Sequence, residues 1–135
     1  MKKIFSKIEP YKLISSIISI DEIGSYRTDI SPNTEFLQVS ARKLNADVFV
    51  KPHKHKPILR QITITQEAWV IIKGKIKAMI YDIDKNFLQE VIITDGGCIV
   101  LYNGGHSLTP LEDDTIFYEI KNGPYYGYEY DKENI

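Results

Sequence analysis

From Gln61 onward the chain alternates short apolar runs with turn residues, and the polar and apolar positions follow the two-residue period of strands. Ile62, Ile64 and then Trp69–Ile72 have strand character, and Gly74 punctuates the run. Lys75–Tyr81 follows as a strand. Asp82–Asn86 contains a turn, and Phe87–Thr94 continues as a strand. Asp95-Gly96-Gly97 turns again before the apolar Cys98–Tyr102, and Asn103-Gly104-Gly105 closes that strand. Thr115–Lys121 is the last expected strand, and the tail from Asn122 is rich in Gly, Tyr and charge. Upstream, Phe36–Leu44 and Asp47–Lys51 are expected strands with a turn at Asn45. Tyr11–Ile23 has apolar residues at mixed spacing, compatible with a short helix or with a strand at Ile17–Ile20. Ser31-Pro32-Asn33 is a turn. Short strands with turn signals every ~8–12 residues predict an all-β sandwich or barrel. With no repeat, linker or low-complexity run, residues 1–135 are expected to form one domain.

Composition narrows the function classes. The 135 residues suffice for a core without disulfides, and the single cysteine, Cys98, excludes an internal disulfide. Its apolar setting marks it as a small core residue. A net charge of −1 argues against a nucleic-acid binder. One local run is basic, Lys51, Lys54, Lys56 and Arg60, either a solvated loop or a rim that attracts anions. Met1-Lys2-Lys3 could open a signal peptide, but Lys7, Glu9, Pro10 and Lys12 interrupt any apolar region. No segment approaches the ~20 apolar residues of a membrane helix. The expected compartment is the cytoplasm, with neither a membrane nor a nucleic-acid partner.

The chain's three histidines are His53, His55 and His106. In a strand, residues i and i+2 project to one face roughly 6.6 Å apart, so His53-Lys54-His55 is a ready chelating pair. The plainer alternative is two solvated loop histidines. Glu67 stands just before Trp69-Val70-Ile71-Ile72. A carboxylate entering a buried strand is costly unless it is paired or bound to metal; alternatively, it is the exposed start of that strand.

These residues resemble the two motifs of the cupins. His53-Lys54-His55, then Glu67, six residues and Gly74 are similar to the first; Gly97, Cys98–Tyr102, Asn103-Gly104-Gly105 and His106 are similar to the second. The similarity spans residues 36–121. The spacer Lys56–Gln66 is longer than usual and carries Pro57 and Arg60, Asp47 stands where a Gly is customary, and the second motif lacks its Pro. Gln61 and Gln66 are alternatives to Glu67. Gln66–Val70, Tyr81-Asp82, Gly104–His106 and Tyr118–Tyr125 further resemble the small cupins of bacterial surface-polysaccharide and modified-sugar gene clusters. The resemblance implies a jelly-roll barrel binding one divalent ion (Zn, Fe, Mn, Ni or Co) through His53, His55, Glu67 and His106. It also implies a homodimer, with residues 1–34 available for the contact.

If Glu67 points inward, Trp69 and Ile71 do too, while Val70 and Ile72 face another layer. Lys51 shares the parity of the two histidines. Lys51, Arg60, Trp69 and Tyr118 are candidate substrate contacts, although strand aromatics are more usually packing residues and Lys51 is as readily a rim lysine that reaches water. The expected function is a metal-dependent isomerase or epimerase acting on a small, sugar-derived or anionic molecule. A metal- or metabolite-binding module without catalysis is the alternative.

Overall fold

The computed structural model describes residues 1–135, and the chain is mostly antiparallel β-structure. Ten strands form: β1 (Lys2–Phe5), β2 (Leu13–Ile18), β3 (Thr28–Asp29), β4 (Ser40–Ala41), β5 (Glu67–Lys73), β6 (Lys75–Tyr81), β7 (Phe87–Thr94), β8 (Cys98–Leu101), β9 (Gly105–Pro110) and β10 (Ile116–Lys121). A 3-10 turn spans Ile20–Glu22, and one helical turn, α1, spans Tyr128–Asp131. No helix is long and apolar enough to cross a membrane.

The strands divide into a five-stranded sheet, β1-β2-β8-β5-β10, a three-stranded sheet, β7-β6-β9, and the small β3-β4 pair. They do not close into a barrel. Alternation along β5 decides which layer covers each face. Trp69 and Ile71 join Ile99 and Leu101 against Ile76, Ala78, Ile80, Val91 and Ile93 of the three-stranded sheet. Ala68, with Cys98, Val100 and Tyr102, faces the other way. There Ile30 is buried, and Leu37, Val39 and Ala41 pack partly buried against the same cluster. The inward-outward reading of β5 holds for Val70, which packs in the second layer, whereas Ile72 faces solvent and not another layer. Because β5 and β8 are covered on both faces, both read as nearly continuous apolar runs.

Two glycines set the connections. Gly74 joins β5 to β6 with φ +89°, a conformation L side chains rarely adopt. Gly104, φ +69°, passes so close to the Tyr81 carbonyl that a Cβ would lie 2.3 Å from its oxygen.

Several expected elements differ. Of Phe36–Leu44, only Ser40–Ala41 pairs, with Thr28–Asp29. Alternate residues Leu37, Val39 and Ala41 cover the outer face of the large sheet without joining its ladder. Asp47–Lys51 forms no strand. Asp47 sits at φ +63°, a left-handed turn that Asp tolerates. Ile62 and Ile64 are also unpaired; the Asn122 side chain instead accepts the Gln66 N–H and donates to the Ile64 carbonyl. As a result residues 42–66 contain no strand or helix. Near the N-terminus, strand replaces the helix alternative over Leu13–Ile18.

Candidate functional site

The layers meet around Glu67 at the start of β5. Register places Lys121 and Glu119 of β10 opposite Glu67 and Trp69, and directly opposed residues share a face. On the facing sheet, His106 lies opposite Ile80, a member of the inner core. Five polar or aromatic side chains, Glu67, Trp69, His106, Glu119 and Lys121, therefore face the same inner space.

Glu67 is 5% exposed, and its charge is compensated at close range. The Trp69 indole N–H donates to Oε1. Lys121 Nζ lies 3.3 Å from Oε2 and 2.9 Å from Glu119 Oε1. His106 Nε2 lies 3.7 Å from Glu67 Oε2, an electrostatic contact longer than a hydrogen bond. Trp69 and His106 meet edge to face, with ring centroids 5.2 Å apart. Burial alone would push the Glu67 carboxyl up. The imidazole, the indole and the ammonium outweigh it and hold the carboxyl at about 2. Lys121 also loses hydration, but Glu119 and Glu67 raise its pKa. Both groups are thus held in their charged forms.

Glu67 and His106 are brought together, as the sequence led us to expect; the H-x-H pair is not. His53 and His55 lie edge to face, ring centroids 5.5 Å apart, on the exposed stretch 42–65. His53 Nδ1 is 2.9 Å from the Lys51 carbonyl oxygen. No group of three or more His, Cys, Asp or Glu side chains is close enough to share a metal ion. The structure therefore brings Glu67 and His106 together and leaves His53 and His55 on a segment that joins no sheet. In this arrangement the Lys121 ammonium engages Oε2 of Glu67.

Trp69 does form a wall of the site. Tyr118 does not: it lies opposite Val70, has the outward parity and is 66% exposed. Lys51 and Arg60 are exposed on the unpaired stretch. The alternatives Gln61 and Gln66 also fall elsewhere. Gln61 is exposed. Gln66 is buried, accepting the Leu37 N–H and donating to Glu35. Lys121 and Glu119 were missed. The signal was available, since Phe117, Glu119 and Lys121 alternate and Phe117 is the apolar member that packs on the core. Cys98 is buried, and burial pushes its thiol up to about 11, which suits packing and not nucleophilic chemistry.

No known protein family, curated protein or solved structure matches the chain.

Proposed function

We propose that the chain is a cupin-type protein that isomerises or epimerises a small sugar-derived carbonyl compound in surface-polysaccharide biosynthesis, using the inner-face pair Glu67–His106. The observation that carries this reading is a buried, ionised carboxylate set against a partly exposed imidazole between two sheets. The strand orders support the jelly-roll assignment. In them β5 lies between β8 and β10, β6 lies between β7 and β9, and the outer edges of β9 and β10 stay free.

The roles follow from the charges. A carboxyl with a pKa of about 2 is a weak base at neutral pH, so Glu67 is a positioning group that orients the imidazole beside it. His106 carries the only imidazole in the cluster. Its side chain is 29% exposed, so it can reach a substrate. Lys121 has three donors, of which Glu67 and Glu119 engage two. The third can hold a substrate carbonyl oxygen. His106 takes a proton from the carbon beside that carbonyl, Lys121 stabilises the enolate oxygen, and reprotonation on another atom or face gives the isomer. No oxidant is needed.

The test is deuterium uptake from D₂O into a nucleotide-linked keto sugar, followed by NMR. We expect uptake with the native protein and a rate at least about a hundredfold lower in His106→Gln. Undiminished exchange in that variant overturns the proposal. A ligand that binds but exchanges nothing points to the binding-module alternative.

A second reading retains the divalent metal, because the two H-x-H rings already lie edge to face, 5.5 Å between centroids. In equilibrium dialysis with Zn²⁺ or Ni²⁺, a four-ligand site predicts one ion per chain, lost in both His53→Ala and His106→Ala. Binding that survives removal of His106 is chelation by the exposed pair alone and excludes the four-ligand site.

A further inference from the structure

The segment Gly123–Ile135 runs from the end of β10, beside Glu67, to the start of β9, beside His106. It leaves β10 at Lys121, the partner of Glu67. Asn122 is tied to Ile64 and Gln66. In α1, Asp131 accepts the Thr65 hydroxyl at 2.7 Å. The chain then crosses to the other sheet. Lys85 Nζ lies 3.5 Å from the Glu133 carboxylate and 3.4 Å from the Asn134 carbonyl oxygen. Ile135 ends against Gly105, the residue before His106. A cleft of about 430 Å³ lies between Glu119 and Lys121 of β10 and Tyr125, Asp131 and Lys132 of the segment.

We infer that residues 123–135 are a strap that closes over the Glu67–His106 pair and releases to admit a ligand. The attachments suit that role. α1 buries no residue, the Lys85–Glu133 pair is exposed on both sides, and exposed pairs hold weakly. A segment held by a few surface contacts opens locally while the sheets stay intact. From the preceding reading the inference takes only the identity of the centre, and its test uses no substrate.

The sharpest probe is Gly105→Ala. A methyl there would stand 2.1 Å from Ile135 Cδ1. Unlike Gly104, Gly105 has no positive φ, so alanine fits its backbone. The added methyl would displace the Ile135 side chain from its seat and leave β9 in place. Lys85→Ala and Asp131→Ala, combined with it, would remove the other ties. The readout is carbethoxylation of each histidine by diethyl pyrocarbonate, quantified by peptide mass spectrometry, with exposed His53 and His55 as internal references. In the native protein His106 should react more slowly than either. In the triple variant its rate should rise by about tenfold, with the references unchanged. An unchanged His106 rate in a folded triple variant, or a native rate equal to that of His53, overturns the inference. If the variant fails to fold, hydrogen exchange of the native chain decides. The Lys132 amide, which donates within α1, should exchange far faster than the amides pairing β6 with β9; equal protection overturns the strap.

Discussion

Truncating Trp69 to alanine is expected to destabilise the fold by about 3–5 kcal/mol. Trp69 sits in the middle of the large sheet, paired with Glu119 on one side and Ile99 on the other, and is 3% exposed. Its ring meets His106 and also Phe117, at 6.3 Å between centroids. Its removal leaves a large void against a face that cannot collapse without moving two sheets. It also strips Glu67 of its indole donor, and an unsatisfied buried acceptor costs about 1–3 kcal/mol. Trp69→Phe separates the two contributions, keeping most of the volume and losing the donor, so its cost should fall near the smaller figure. Urea denaturation followed by far-UV circular dichroism measures both, because this is the only tryptophan and its fluorescence vanishes with it. A loss below 1 kcal/mol in Trp69→Ala would contradict the packing described.

The second large effect is acid sensitivity centred on Glu67. Its carboxyl is held at about 2, against 4.5 when free. A depressed carboxyl adds stability that is fully present above its unfolded pKa and is lost as pH falls through the folded one. The window therefore runs from about pH 4.5 down to about 2, and the amount at stake is on the order of 3 kcal/mol. Glu22, held low by its bond to the amino terminus, also contributes in acid. So does Asp82, where hydrogen bonds from Ser6 and the Lys7 amide outweigh burial. The comparison that isolates Glu67 is native protein against Glu67→Gln. The variant should be less stable at neutral pH, because Lys121 loses one of its two carboxylates, and should show a shallower decline in acid. Parallel curves from pH 7 to 2.5 would mean that the carboxylate is not held in its charged form by its neighbours.

What the chain reveals in advance depends on whether neighbours in space are also neighbours in sequence. β5 to β8 follow one another through Gly74, the Asp82–Asn86 turn and Asp95-Gly96-Gly97, so local turn chemistry and alternation delimit them closely. β1 and β9 were not foreseen. Lys2–Phe5 is short and half charged, and Gly105–Pro110 begins and ends with breakers and is a strand only because β6 supplies its partner. The opposite error occurs over 47–64, where strand-like alternation finds no partner. At the site, the closeness of Glu67 and His106 was legible from their places in the motifs. The exclusion of Tyr118 in favour of Lys121 was not, since a one-residue change of register exchanges the faces of β10.

The order of the large sheet also bears on how the chain acquires its shape during synthesis. β5 is flanked by β8 and β10, and β8 joins it to β2 from the opposite end of the chain. A nascent polypeptide can form the β6–β7 hairpin early. It cannot seal the flank of its central tryptophan strand until residues 116–121 have cleared the ribosome. Until then the inner apolar surface is uncovered along that flank, and the incomplete chain is the species most exposed to aggregation and to capture by chaperones.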